Sequence, residues 1–242
     1  MWLRTSTLLC LLITCFLGPS SACPSFCTCS LDVKGRKTVE CKQGGMRGPL
    51  TLSNVDIKTE IIRISAPDDN ANFLTMSPDI QSFKKLEELH ITKSNVPILG
   101  QHFFFGLVKL EVLNLSQNNI TQPLDHNFRG LVNLKELYLD DNRIYSLPSG
   151  TFRYAIQLKV LSLQRNRLKE LMPRVFQQLT KLEVLKLNGN PLGEWNQEVF
   201  KDIRVSRVSK KVIFKKCTRF VPKVWCGRKT LDVVFFIVAG FT

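Results

Sequence analysis

Cysteines are the side chains best spaced to do chemistry in this chain. Beyond residue 22 there are six, and four of them, Cys23, Cys27, Cys29 and Cys41, crowd into one short stretch. Such a cluster either holds zinc through thiolates or cross-links as disulfides, and the compartment decides between the two. Cys217 and Cys226 remain, and by elimination they pair with each other. Other reactive groups are sparse. His102 and His126 have no third ligand in view, so solvated histidines are expected rather than a metal site. Glu87, Glu88 and Glu111 are candidate paired carboxylates, but an open surface offers no pocket to raise a pKa. Neither a glycine-rich phosphate loop nor a nucleophile motif occurs. The expectation is a chain that is not an enzyme, with no catalytic residue, no metal and no cofactor.

The 24-residue interval between those histidines is the period of the whole central region. The pattern L-x-x-L-x-L-x-x-N-x-L opens at Leu86, Leu110, Leu134, Leu158 and Leu182. Its ninth position is Ser94, then Asn118, Asn142, Asn166 and Asn190, and a second register sets Phe104, Phe128, Phe152, Phe176 and Phe200 at the same spacing. A period of this length marks a leucine-rich repeat solenoid, an α/β-type curved parallel sheet with mostly irregular or short helical return segments. Positions 1, 4 and 6 point inward and stack turn on turn. The asparagine amide satisfies backbone groups of adjacent turns that are costly to desolvate unpaired. No turn can bury these side chains alone, so the ends need caps.

Met1 to Ala22 carries Arg4, an apolar run from Leu8 to Leu17 and the small residues Ser20-Ser21-Ala22. These are the parts of a secretory signal peptide, too short to span a bilayer. An oxidising compartment then favours disulfides over zinc for the cluster that follows. C-P-S-F-C-T-C, eleven residues and Cys41 resemble the cysteine-rich N-terminal cap of extracellular leucine-rich repeat proteins, a group including Slit, Toll-type and Trk-type ectodomains, small proteoglycans and insect neuronal adhesion receptors. The resemblance runs from about Cys23 to Phe200 and implies a disulfide-capped N-terminus with pairs Cys23–Cys29 and Cys27–Cys41. The cysteines alone permit three connectivities.

The domain reading is a signal peptide at 1–22, a cysteine-rich cap at 23–50, an irregular first repeat at 51–85, five repeats at 86–205 and a tail at 206–242. In the irregular repeat Ile62 and Ile64 supply a strand before Pro67-Asp68-Asp69-Asn70 interrupts. Asn190-Pro191-Leu192 resembles the start of the family's C-terminal cap, yet no C-x-C follows and position 206 is Ser where Leu is due. Residues 204–229 hold ten Lys/Arg and no Asp/Glu, out of a formal net charge of +14. Val233 to Phe241 is apolar over only nine residues, against about 20 for a membrane span. Three readings of the tail stay open: a divergent cap, a heparan-sulfate or membrane-surface patch, or a truncated end that stays outside the solenoid, the last weighted most.

Strand side chains alternate between core and solvent, so positions 3, 5 and 7 of each repeat line one continuous inner surface. Its expected ligand-binding residues are Glu88, His90, Val112, Glu136, Tyr138, Asp140, Val160, Ser162, Gln164, Val184 and Lys186. Two sequons, Asn114-Leu115-Ser116 and Asn119-Ile120-Thr121, mark glycosylation candidates, with Asn119 expected on an exposed turn. The expected function is non-catalytic recognition of an extracellular or cell-surface protein ligand, as in adhesion, guidance or receptor-type binding. Alternatives are a matrix protein binding glycosaminoglycan through its basic tail, or a soluble truncated form of a membrane receptor. A secreted chain makes nucleic acid an implausible partner, and no transmembrane segment is expected.

Overall fold

A computed structural model describes residues 23–193, Val199, and the backbone of 211–214 and 233–236. The segment 1–22 expected to be a signal peptide, Phe200, Cys217 and Cys226 lie outside the described residues. Among the described residues twelve short strands follow one another. They are β1 (Thr28–Leu31), β2 (Lys37–Cys41), β3 (Arg47–Pro49), β4 (Ile61–Ile64), β5 (Phe73–Thr75), β6 (Glu88–Ile91), β7 (Val112–Asn114), β8 (Glu136–Tyr138), β9 (Val160–Ser162), β10 (Val184–Lys186), β11 (Lys211–Phe214) and β12 (Val233–Phe236). Ten of them form one sheet in the order β1-β2-β4-β6-β7-β8-β9-β10-β11-β12, while β3 and β5 pair apart from it. Every neighbour from β2 to β11 is parallel, which makes a solenoid. Only the outermost strands, β1 and β12, run antiparallel to their neighbours.

Register explains the period. Val112 pairs with Glu136, Glu136 with Val160 and Val160 with Val184, each one full repeat on, so a leucine always meets a leucine one turn away. Leu113, Leu137, Leu161 and Leu185 are buried on the inner side of these strands. Phe104, Phe128, Phe152 and Phe176 fill the return side and are fully buried; the rings of Phe128 and Phe152 stack at 5.9 Å, and those of Phe152 and Phe176 at 6.2 Å. Each such side chain contributes about 1.5–3 kcal/mol on burial. Between residues 65 and 193 the return segments are irregular apart from 3-10 turns at Pro78–Ser82 and Asp125–Phe128.

The asparagine row ties the turns together. Asn142 Nδ2 donates to the carbonyls of Leu115 (2.9 Å) on the preceding turn and Leu139 (3.1 Å) on its own, and its Oδ1 accepts from the Ile120 N–H (3.0 Å). Asn118 and Asn166 repeat this pattern. Ser94 is too short to do so. The gap is filled by Asn72, fully buried, whose Nδ2 donates to Ser94 Oγ and whose Oδ1 accepts from the Met46 N–H. The sequence reading missed Asn72 because it precedes the regular period.

The N-terminal pairs are Cys23–Cys29 and Cys27–Cys41, as the resemblance implies. They pin the β1–β2 hairpin over the first turn, and Val39 and Cys41 join the core. β4 supplies the strand expected from Ile62 and Ile64. It pairs with β6 through Ile61 and Glu88, a step three positions longer than the period, which is why this repeat reads out of phase.

The expectation that residues 204–242 stay outside the solenoid is corrected at two places. β11 continues the parallel sheet, Val184 pairing with Lys211 and Leu185 with Val212, again a step three positions longer than the period. β12 then returns antiparallel along β11, Phe214 opposite Val233. The leucine pattern, in phase through Leu192, fails at Ser206, and the pairing shows the lengthening: Val212 pairs with Leu185, where an unbroken period would have placed residue 209. At these strands the sheet ends on an antiparallel partner, as it begins on one at β1.

Candidate binding surface

Neighbouring strands lie about 4.8 Å apart, so the solvent face of the sheet is a set of parallel side-chain rows. The row through position 5 reads Glu40, Arg63, His90, Asn114, Tyr138, Ser162 and Lys186; position 3 gives Thr38, Ile61, Glu88, Val112, Glu136, Val160 and Val184. The structure therefore brings the predicted residues onto one face, but it does not leave them equally free.

At the N-terminal end the charges are already paired. Arg36, from the cap, holds Asp32 (2.8 Å), Glu88 (2.7 Å) and Glu87 (3.2 Å), while Arg63 holds Glu88 (3.0 Å) and Lys42 holds Glu40 (2.7 Å). Burial works against the Glu88 carboxylate, but hydrogen bonding and attraction from Arg36 outweigh it and hold the group below the usual carboxylate range. His90 Nε2 lies 3.5 Å from Glu88 Oε2, an ion-pair distance without a hydrogen bond. Burial, and then the nearby Arg63, lower the His90 pKa, so the ring is neutral at physiological pH. Glu88 is thus held by two arginines, with His90 packed beside it and its Nε2 buried without a hydrogen bond. Arg36 and Arg63 belong with them, and their place in the irregular first turns hid them from the repeat pattern.

The centre of the face is different. Tyr138 Oη donates to Glu136 Oε2 at 2.7 Å; burial and this bond push its pKa up to about 12. Asp140 Oδ1 accepts from Ser162 Oγ (2.5 Å) and from the Gln164 N–H (2.8 Å). Ser162, counted from the sequence among the ligand-facing residues, is fully buried beneath this bond. It braces Asp140 instead of facing a ligand. Gln164 Nε2 donates to Ser162 Oγ in turn. What stays partly exposed is Val112, Val160 and Val184 with Tyr138, flanked by Glu136, Asp140 and Lys186. Asp141, beside Asp140, is engaged by Arg165.

The sequons also differ. Asn114 lies on the sheet face, next to Tyr138 in its row, and its Oδ1 accepts from the Ser116 N–H at 3.0 Å. Asn119 sits on the flank, only partly exposed; its Nδ2 donates to Asn95 Oδ1 at 2.9 Å, and Asn95 donates to the Asn72 carbonyl. The turn expected to be free carries a small amide stack.

His102 and His126 are neighbours, their ring centroids 6.3 Å apart. Among the described residues no group of three or more His, Cys, Asp or Glu could hold a metal ion, and no helix is long and apolar enough to cross a membrane.

The family model for leucine rich repeats matches residues 84–144 and 132–192. No curated protein matches the chain. Among solved structures it is similar to one described as the crystal structure of the TLR13–ssRNA13 complex, with a TM-score of 0.53 and 24% identity over 60% of this chain and 24% of that one. The chain therefore spans about a quarter of the length of that neighbour, and likeness at this identity speaks for the fold alone. With its repeating strand register, its asparagine row and its cysteine-tied first turn, the chain has the fold of leucine-rich repeat proteins, carries their repeats over residues 84–192 and has a disulfide-capped N-terminus.

Proposed function

We propose that this protein is a secreted or cell-surface recognition module that binds a protein ligand through the centre of its sheet face. Repeat domains of this kind are typically protein-binding and generally non-catalytic. The observation that carries the reading is the half-exposed set Val112, Tyr138, Val160 and Val184, ringed by the carboxylates of Glu136 and Asp140. Apolar area beside an aromatic ring, with charge at the margin, is how protein interfaces are built. Tyr138 and Asp140 are held by hydrogen bonds to Glu136 and Ser162, so little of their side-chain entropy is lost on binding. The disulfide cap and the leader-like N-terminus support an extracellular setting.

The test is affinity capture from intact cell surfaces with the whole secreted chain. Val160→Asp should abolish capture of a defined surface protein, with a loss of at least about tenfold in affinity, while Val132→Asp on the return side, where Val132 is 46% exposed, should leave it intact. Equal capture by both variants at unchanged melting temperature would place the ligand elsewhere.

A further inference from the structure

Formal charge is divided sharply along the solenoid. Residues 23–141 carry 13 Lys/Arg and 14 Asp/Glu, whereas residues 142–193 carry nine Lys/Arg and two Asp/Glu, a change from −1 to +7. Few of these nine cations are neutralised. Arg165 pairs with Asp141, Lys159 with Glu183 at 3.4 Å, and Arg153 approaches Asp125 at 3.6 Å. Among the described residues, Arg143, Arg167, Lys169 and Arg174 make no ion pair and are exposed.

Their placement is repetitive. Arg143 and Arg167 occupy the same position of consecutive turns, each tied by its backbone N–H to the carbonyl one turn back, Ile120 and Ile144. Lys169 follows shortly after Arg167 on the same flank. Round the corner, on the return side of the same two turns, a cleft of about 450 Å³ is lined by Ser149, Arg153, Tyr154, Arg174 and Gln178, among others. Gly150, at φ +87°, also lines it, and a Cβ there would stand 3.0 Å from an Arg153 guanidinium nitrogen. The absence of a side chain there lets that guanidinium lie against the backbone, and Arg174 lines the same cleft. Ser149 Oγ donates to the Pro173 carbonyl at 3.2 Å and ties the two turns together beneath it.

We propose that this flank and cleft bind an extended sulfated glycan of the glycosaminoglycan class. Arg153 and Arg174 hold one anionic group in the cleft, and Arg143, Arg167 and Lys169 neutralise the groups beyond it. The chemistry fits a chain of sulfates rather than a single anion: five cations spread over two adjacent turns, Arg143 and Arg167 at equivalent places one turn apart, and guanidinium groups take oxyanions in bidentate fashion. Such binding is driven by release of counterions and weakens steeply with salt. The proposal rests on the extracellular setting argued above, not on the sheet-face ligand, and it does not use the basic tail.

The experiment measures binding of the whole secreted chain to an immobilised heparin octasaccharide over a salt series. Arg153→Gln with Arg174→Gln, and separately Arg167→Gln with Lys169→Gln, should each lower affinity about tenfold and flatten the dependence on salt. Melting temperatures should not move, since these side chains are exposed. Val160→Asp on the sheet face should bind heparin as the parent does, which separates this proposal from the protein-ligand reading. Unsulfated hyaluronan and a single-stranded oligonucleotide of equal charge should bind at least about tenfold more weakly. The proposal is overturned if both double variants bind like the parent while substitution of tail lysines removes binding, or if the oligonucleotide binds as well as the octasaccharide.

Discussion

His90 shows how a single residue on the sheet face connects stability to pH. Its folded pKa is lowered by burial and by Arg63, so the unfolded chain binds the proton more readily than the folded one. Its contribution is therefore present above the unfolded value near 6.5 and is lost as pH falls below it. Glu88, also shifted downward, adds a second loss at lower pH, as it protonates below the ordinary carboxylate range. Chemical denaturation at pH 7 and pH 5.5 should show a smaller drop in stability for His90→Gln than for the parent; an equal drop would assign the acid sensitivity to other groups. At this scale the sequence was informative about position and uninformative about freedom. Alternation placed His90, Tyr138 and Ser162 on one face. Whether each was available depended on partners from other turns: Arg36 in the cap for the network around His90, and Asp140 one turn back for Ser162.

Repeated elements make some substitutions far more costly than others. Asn142 bridges two turns, and leucine there leaves the Ile120 N–H without its partner and takes from the Leu115 carbonyl one of its two amide donors, the other being Asn118 Nδ2. Loss of such buried bonds costs about 1–3 kcal/mol each. Asn119→Gln, on the flank, disturbs one amide contact with Asn95. Asn142→Leu should lower secretion yield and melting temperature well beyond Asn119→Gln, and comparable values would contradict the register. The central turns were legible because strands, asparagines and phenylalanines kept one phase. Asn72 and β11 were not. Each lies beside a lengthened repeat, at Ile61 to Glu88 and at Val184 to Lys211, where a fixed template loses step although the sheet does not.

For the whole molecule, the stack of turns is closed at its start by a disulfide-tied hairpin and continued past β10 by β11 and β12. Replacing Cys27 and Cys41 by serine should cost about 2–5 kcal/mol, measured by denaturant unfolding of the secreted protein. Stopping the chain at residue 203 removes β11 and exposes the edge of β10 beside Leu185 and Leu187, both buried, so light scattering should then rise with concentration. A monodisperse truncated chain would restore the view that the tail is dispensable. The cap hairpin also has a bearing on how quickly the stack can assemble. Within the main sheet, β1 and β2 close over a short loop, Leu31 opposite Lys37. From β2 to β11 each new parallel pair closes a loop about one repeat long, as from Thr38 to Ile61 or from Val184 to Lys211. Loop-closure entropy grows with length, so the hairpin is the cheapest place to begin, and every later strand faces nearly the same cost. Because ribosomes deliver the N-terminus first, winding can keep pace with synthesis, one turn for each repeat delivered.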